Sequence, residues 1–219
     1  MSSRFIIHEI KESFPDEDIL DEELNNTYRP KKDTQAAVWV IDPLDGTTNF
    51  SLGLPFWGVS IARLVKGRPQ TGALYFPPID ELYCADEGEG AFLNDEPLKI
   101  SPEMQGRPGT FFACCSRTYR QYNIQVPYKH RILGSAAYNY CSVARGIAII
   151  AFEASPKIWD FAAGWLLIQE AGGIIETYDG SKPFPLIPGT DYTRKSYPTV
   201  AAGTPALIKQ AREQIKPRT

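Results

Sequence analysis

The stretch Val38-Trp39-Val40-Ile41-Asp42-Pro43-Leu44-Asp45-Gly46-Thr47 joins an apolar run directly to two carboxylates and a turn. An apolar run of this length, bounded by turn formers, predicts a buried strand, here over residues 36–41. Ligands of layered α/β proteins bind where strands stop and loops begin. The stretch therefore predicts a buried strand that leads into a ligand site.

Asp42 and Asp45 can bind one ion only if the chain bends between them. In an extended strand, positions three residues apart lie roughly 10 Å from each other. Pro43 and Gly46 favour a bend, which would turn both carboxylates and the Leu44 carbonyl toward one volume. Crowded oxygen atoms suit a hard cation such as Mg²⁺, and the N–H groups after the bend suit an anion. The alternative is a plain Asp-Pro turn without a ligand.

A second acid, Asp160, stands between Trp159 and a nearly apolar segment that runs to Ile168. A carboxylate among apolar residues is costly to bury unless it is paired or bound to a metal. The pattern predicts a helix over residues 160–171 that Asp160 opens, so the alternative is that Asp160 caps this helix. Glu22 is a weaker signal, because an acidic run just after a helix is typical of a solvated surface.

Composition excludes several classes of protein. The 219 residues include 43% hydrophobic and 22% charged residues, which predicts one globular core. The net charge of −3 offers no basic surface for nucleic acid, so no nucleic-acid partner is predicted. No apolar stretch approaches the ~20 residues of a membrane helix, and no signal peptide opens the sequence. A cytoplasmic protein without a membrane partner is predicted, with its four cysteines as reduced thiols without a role.

Periodicity and turn residues predict the remaining elements. The predicted helices cover residues 6–14, 135–145 and 206–215 beside the helix at 160–171. The predicted strands cover residues 58–65, 71–76, 81–85, 110–115, 147–152, 174–178 and 199–203. Residues 101–109, rich in Pro and Gly, mark a boundary, so a single domain over residues 1–219 is predicted with halves at 1–105 and 106–219.

Two segments resemble the inositol monophosphatase family. Residues 39–50 closely resemble its first motif, and residues 159–173 resemble its second. The similarity extends through residues 87–94, 134–137 and 200–203, and it covers nearly the whole chain. The resemblance implies an α/β fold, a layered αβαβα sandwich of the inositol monophosphatase and sugar phosphatase type. It also implies Mg²⁺-dependent hydrolysis of a small phosphate monoester, lithium sensitivity and a homodimer.

The resemblance also implies roles for individual residues. The implied metal ligands are Glu22, Asp42, the Leu44 carbonyl, Asp45 and Asp160. The implied phosphate cradle consists of the backbone N–H groups of Asp45, Gly46 and Thr47. Thr47 and Glu22 are the implied catalytic residues, with the Thr47 hydroxyl orienting the attacking water. The implied substrate-side residues are Gly134, Ser135, Ala136, Glu153 and Asp160.

One part of the family pattern falls outside the sequence. When Phe14-Pro15 and Glu22 are aligned with the family pattern, two features of that pattern fall before Met1. One is an Asp that pairs with the motif Thr to activate water, and the other is a preceding helix. This predicts either an incomplete start or a short form with weakened catalysis and a partly uncovered sheet face.

The sequence leaves several functions open. The leading hypothesis is a phosphatase for inositol monophosphate or a related sugar phosphate, and Glu153 favours a polyol substrate. The alternatives within the family are fructose-1,6-bisphosphate, histidinol phosphate and phosphoadenosine phosphate. The alternative from another class is a metal- and phosphate-binding module with little turnover.

Overall fold

A computed structural model describes residues 2–24, 37–101 and 108–218 of the protein. The helices in these residues are α1 (Ser2–Ser13), α2 (Thr47–Leu52), α3 (Thr118–Gln121), α4 (Ala136–Ala144), α5 (Ile158–Glu170) and α6 (Pro205–Gln214). The strands of the first half are β1 (Asp18–Asp21), β2 (Val38–Asp45), β3 (Gly58–Val65), β4 (Arg68–Phe76), β5 (Glu81–Asp86), β6 (Gly90–Leu93) and β7 (Glu96–Leu98). Those of the second half are β8 (Phe111–Cys114), β9 (Tyr122–Ile124), β10 (Lys129–Arg131), β11 (Ala148–Glu153), β12 (Ile174–Thr177), β13 (Thr199–Ala202) and β14 (Ile215–Pro217).

The first seven strands form one sheet in sequence order, from β1 to β7. β1 is parallel to β2, and every later neighbour is antiparallel. The antiparallel part follows from short turns such as Lys66-Gly67, where both residues have positive φ, at 51° and 72°. Two such residues match the twist of a hairpin. The predicted meander is therefore confirmed.

A five-stranded sheet in the order β10-β8-β11-β13-β12 forms the second half. β8 is parallel to both β10 and β11, whereas β13 is antiparallel to β11 and β12. The carboxyl ends of β8 and β11 therefore lie side by side at one edge, the position where parallel sheets bind ligands. A separate two-stranded ladder pairs β9 with β14.

The helices complete the predicted αβαβα order. α1 packs on the outer face of the large sheet through Ile10, which joins Ile19 and Ile41 in one apolar cluster. α4 and α5 lie between the two sheets and contact both of them. α6 packs on the far face of the small sheet through Leu207 and Ile208. α5 is apolar nearly all round because both of its faces meet protein.

Two sequence predictions about local structure need correction. The acidic segment after α1 is a solvated surface only in part, because Asp16, Glu22 and Glu23 are exposed whereas Asp18 and Asp21 are buried in β1. α5 begins at Ile158, so Asp160 is the third helical residue and Lys157 takes the N-cap position. Parallel pairing with β2 stabilises β1, and this tertiary pairing overrides the polar composition of the segment.

Two further predictions concern the boundary and the outer face. The boundary at residues 101–109 falls largely outside the described residues, so the division into halves at 105 and 106 stays a prediction. On the outer face of the large sheet, Tyr75 and Leu82 are each 39% exposed beside the region that α1 covers. No helix in the described part of the chain has both the length and the apolar character that crossing a bilayer requires.

Candidate metal and phosphate site

Asp42 and Asp45 lie at the irregular end of β2. The pairing of β2 with β3 shifts its register between these two residues, so their side chains do not follow the alternation of a regular strand. The Leu44 N–H donates a hydrogen bond of 2.9 Å to Asp42 Oδ1, and both carboxyl groups are buried. The predicted bend is therefore present, but it lies inside a strand that continues to Asp45 rather than beyond one that ends at Ile41.

Glu22 reaches this end of β2 because β1 runs parallel beside it. The buried Asp21 fixes the turn after β1, since its Oδ1 accepts the N–H groups of Glu23 and Leu24 at 2.9 and 2.8 Å. Glu22 is close enough to Asp42 to raise the pKa of the Asp42 carboxyl group by repulsion. Glu22, the weakest candidate in the sequence, therefore interacts with an acid of the first motif.

Asp45 is held by the start of α4. Its carboxylate accepts a hydrogen bond from Ser135 Oγ and another, of 3.2 Å, from the Ala136 N–H. Ser135 Oγ in turn accepts a hydrogen bond of 3.0 Å from the Tyr138 N–H, so the same hydroxyl both caps the helix and orients Asp45. The predicted substrate-side residues Ser135 and Ala136 therefore also position a predicted metal ligand.

Asp160 comes from a different layer of the fold. Its Oδ2 accepts the Lys157 N–H at 2.8 Å across the first turn of α5, and its side chain is only partly exposed. The N-terminus of a helix stabilises a carboxylate at this position. The prediction that Asp160 could be the N-cap is wrong, but the acid still lies in the first turn and interacts electrostatically with Asp42 and Asp45.

The pKa values of all four acids are raised. Burial is the largest cause for each of them, and repulsion among the neighbouring carboxylates adds to it. The pKa of Asp45 rises to about 6, and the pKa values of Asp42 and Asp160 rise well above the ordinary range. A divalent cation would reverse this shift by favouring the charged forms. The all-oxygen donor set, including the Leu44 carbonyl, fits Mg²⁺.

The ligand atoms of the four acids do not form one tight cluster. Among the described residues, only the exposed trio His8, Glu9 and Glu12 on α1 brings three ligand atoms within 4.8 Å of one another. At the end of β2, Asp42 is instead related to Glu22, Asp45 and Asp160 by electrostatic repulsion.

The turn after Asp45 leads straight into α2. Gly46 has φ of 80°, and a Cβ at this position would lie 2.7 Å from the Phe56 carbonyl oxygen. Thr47 Oγ1 donates a hydrogen bond of 3.0 Å to the Leu44 carbonyl, which keeps a second lone pair for a ligand. The first N–H groups of a helix have no acceptor within the helix. Gly46 and Thr47 thus lie where the phosphate cradle is predicted.

Comparison with known proteins shows the family to which this chain belongs. The family model described as the inositol monophosphatase family matches residues 1–216. The chain belongs to this family. The fold class predicted from the sequence is confirmed by the layered model and by its structural relatives.

Three relatives show how far the similarity extends. Nus factor SuhB of Pasteurella multocida is 37% identical over 226 residues, which span 99% of this chain and 80% of the relative. The crystal structure of extragenic suppressor protein suhB from Bartonella henselae has a TM-score of 0.76 at 31% identity and covers 96% of this chain and 85% of its own. Inositol monophosphatase from Anabaena has a TM-score of 0.76 at 28% identity, with 98% and 85% covered.

A cleft of about 500 Å³ opens beside the acids of this family member. It brings together five residues that the resemblance places on the substrate side: Gly134, Ser135, Ala136, Glu153 and Asp160. Thr48 and Asn49 line it as well, whereas the described lining does not include the predicted site residues Glu22, Asp42, Asp45, Gly46 and Thr47. The cleft has the size of a small-molecule site. The roles assigned to these residues by resemblance stay predictions.

Sequence reasoning missed three polar residues that shape the cleft. Buried Asn49 donates from Nδ2 to the carbonyls of Phe56 and Leu133, at 2.6 and 2.7 Å, and so ties α2 to the loop before Gly134. Asn139 donates to Glu153 Oε1 at 2.6 Å. Cys115, predicted to have no role, lines the same cleft, and its Sγ forms a hydrogen bond of 3.3 Å with Thr118 Oγ1. Two signals in the sequence could have identified the asparagines. Asn49 lies inside the first motif, and Asn139 is a polar residue inside an apolar helix.

Proposed function

We propose that the chain is a Mg²⁺-dependent phosphatase for a small phosphate monoester, with inositol monophosphate or a related sugar phosphate as substrate. One observation carries the proposal. Four carboxyl groups, from β2, α5 and the turn after β1, each have a raised pKa. One of them, Asp160, lines a cleft that offers further polar groups. Family membership supports the reaction class, while the substrate follows from the polar groups of the cleft.

The residues of the site would have the following roles in hydrolysis of the phosphate ester. Glu22, Asp42, Asp45, Asp160 and the Leu44 carbonyl would hold the metal. A bound Mg²⁺ neutralises phosphate charge and lowers the pKa of water. Gly46 and Thr47 would bind phosphate oxygens through their N–H groups, and the Thr47 hydroxyl would orient water. The water oxygen bonds to phosphorus, the ester P–O bond breaks, and the alkoxide takes a proton to leave as an alcohol beside inorganic phosphate.

Glu153 and Asn139 favour a substrate that carries hydroxyl groups. Both line the cleft and both are buried. Their polar atoms would bind a polyol better than an apolar alcohol, because hydroxyl groups can both donate and accept. We also propose a homodimer, lithium sensitivity and a cytoplasmic location, without a nucleic-acid or membrane partner, and a single domain with halves at 1–105 and 106–219.

A second function is favoured by the names of the relatives. Several relatives at 36–37% identity are named Nus factor SuhB. The chain could therefore retain the metal and phosphate site and act as a binding module with little turnover. The two functions differ in one measurable property, which is phosphate release at saturating metal.

The test combines phosphate release from inositol 1-phosphate with a calorimetric Mg²⁺ titration. We expect turnover that depends on Mg²⁺ in the natural protein, and a loss of both turnover and metal binding in Asp45→Asn. Asp86→Asn is the matched control, because Asp86 is exposed at the end of β5. Metal binding without turnover in the natural protein would support the binding module. Unchanged metal affinity in Asp45→Asn would contradict the ligand assignment.

A further inference from the structure

A second cavity lies at the opposite end of α5 from Asp160. Its volume is about 610 Å³, and none of its described lining residues lines the cleft beside Asp160. Asp160 lies in the first turn of α5, whereas Glu170, which lines the second cavity, is the last residue of this helix. At the rise per residue of an α-helix, the two positions are about 15 Å apart. The second cavity is therefore separate from the proposed site of hydrolysis.

Trp165 forms an aromatic wall of the second cavity. The other two aromatic residues of α5, Trp159 and Phe161, are buried, whereas Trp165 is partly exposed. Its ring packs edge-on against Phe184, which also lines the cavity, with the ring centroids 5.5 Å apart and the planes at 76°. Because Phe184 is buried, it holds the indole in place. Trp165 thus offers a rigid flat surface on which a ring of a ligand can pack.

One end of the cavity rim is cationic. Arg68, at the start of β4, and Lys182 both line the cavity and are exposed. The chain segments that carry them are adjacent, because the Leu186 N–H donates a hydrogen bond of 3.0 Å to the Gly67 carbonyl. Neither cation forms an ion pair with any residue of the three described segments. Their N–H groups are therefore available to a carboxylate of a ligand.

The other end of the rim is acidic. Glu87 lies beside β4, because its N–H donates a hydrogen bond of 2.8 Å to the Gln70 carbonyl. Glu170 holds the turn that follows, since its carboxylate accepts the N–H groups of Gly88 and Gly90, each at 3.0 Å. Both acids line the cavity. A carboxylate has about four lone-pair sites, so both groups can still accept hydrogen bonds from an ammonium group of a ligand.

The charges of the lining balance. A third acid, Glu176, forms an ion pair with Arg212 in which the shortest distance from nitrogen to oxygen is 2.6 Å. Apart from this pair, the described lining carries the two cations at one end and the two acids at the other. A ligand with a single charge would leave one end without a partner. A ligand with both charges matches both ends.

We propose that this cavity binds a small zwitterion with an aromatic ring, the chemistry of a free aromatic amino acid. The ring packs on Trp165. The carboxylate of the ligand binds Arg68 and Lys182, and its ammonium group binds Glu87 and Glu170. A volume of about 610 Å³ lies in the range of small-molecule sites.

Calorimetry tests the proposal with L-phenylalanine, with 3-phenylpropionate, which lacks the ammonium group, and with phenethylamine, which lacks the carboxylate. We expect L-phenylalanine to bind most tightly and each analogue to bind about fivefold more weakly or worse, because each loses charge-assisted hydrogen bonds at one end. In Arg68→Ala, L-phenylalanine should bind about fivefold more weakly, while phenethylamine binding stays within about twofold. Arg120→Ala is the matched control, because Arg120 is an exposed arginine of α3 outside the described lining.

Glu87→Gln tests the acidic end in the opposite sense. It should weaken binding of L-phenylalanine and of phenethylamine and leave binding of 3-phenylpropionate as it is. The proposal is overturned if L-phenylalanine gives no saturable heat, if either analogue binds as tightly as L-phenylalanine, or if the Arg68 and Glu87 variants bind it as the natural protein does. Phosphate release is measured separately, so turnover without amino-acid binding overturns only this proposal, and amino-acid binding without turnover overturns only the proposed phosphatase.

Discussion

Glu153 is a buried carboxyl group on the substrate side of the cleft. It is 2% exposed, and burial raises its pKa to about 8 despite the hydrogen bond that Asn139 donates to it. The Oδ1 atom of Asn139 is buried and makes no hydrogen bond within the described residues. Buried polar groups are normally satisfied.

Substitution of Glu153 separates its structural role from its role in binding. In Glu153→Gln, the amide oxygen still accepts from Asn139, so we expect the free energy of unfolding to change by less than about 1 kcal/mol. In Glu153→Ala, the Asn139 amide loses its acceptor, and we expect a loss of about 1–3 kcal/mol. Urea unfolding at pH 7 measures both values. Equal losses in the two variants would show that the hydrogen bond to Asn139 contributes nothing.

At the scale of elements, α2 is flanked by two glycines that differ in the space available for a Cβ atom. Gly46 and Gly53 both have positive φ, at 80° and 70°. A Cβ on Gly46 would lie 2.7 Å from the Phe56 carbonyl oxygen, whereas a Cβ on Gly53 would meet no atom within 4 Å. Both substitutions carry the backbone strain of a left-handed residue. Only Gly46→Ala adds a clash with backbone, in the turn that is predicted to hold phosphate.

The Gly46→Ala and Gly53→Ala proteins should therefore differ in stability and in activity. We expect Gly53→Ala to lower the free energy of unfolding by about 1 kcal/mol through backbone strain alone. Gly46→Ala should cost about 1–3 kcal/mol more, because the strand end or the Phe56 carbonyl must move. Thermal unfolding and phosphate release are measured side by side. A Gly46→Ala protein as stable and active as Gly53→Ala would show that the close approach at Gly46 is dispensable.

Element patterns were predictable where local signals were strong. Strands β3, β4 and β5 follow from alternation and turn residues. The resemblance to a family supplied the predicted site residues, of which Asp42, Asp45 and Asp160 lie in the two motifs and Glu22 and Glu153 lie outside them. The strand β1 was not predictable, because Asp18 and Asp21 make its sequence polar and only parallel pairing with β2 buries it. The role of Asn139 depends on a hydrogen bond to a residue 14 positions away, which periodicity does not report.

At the scale of the whole molecule, the acids join layers that are otherwise separate. Asp42 and Asp45 belong to the large sheet, Asp160 belongs to the central helices, and Glu22 follows the edge strand. Asp45 is also tied to α4 through Ser135. Mutual repulsion therefore acts between the large sheet and the helix layer. Any cation that binds at this position relieves repulsion across the interior and stabilises the folded protein as a whole.

This arrangement predicts how stability depends on pH and on Mg²⁺. Folding raises the pKa of Asp45 from its ordinary value of 3.8 to about 6, and that of Glu153 from 4.5 to about 8. The folded state then binds more protons than the unfolded state between those values, so the free energy of unfolding falls as pH rises through this window. In metal-free protein, we expect the Tm to fall between about pH 4 and pH 8.

Added Mg²⁺ should raise the Tm more at pH 8 than at pH 5, because only the ionised carboxylates bind it. Asp45→Asn removes one of the groups that titrate and one of the ligands, so it should flatten the pH dependence and reduce the Mg²⁺ response together. Asp86→Asn, which changes an exposed acid, should leave both as they are in the natural protein. Thermal unfolding by circular dichroism, with and without chelator, measures all three proteins. A Mg²⁺ response equal at pH 5 and pH 8 would contradict a carboxylate site that links the layers.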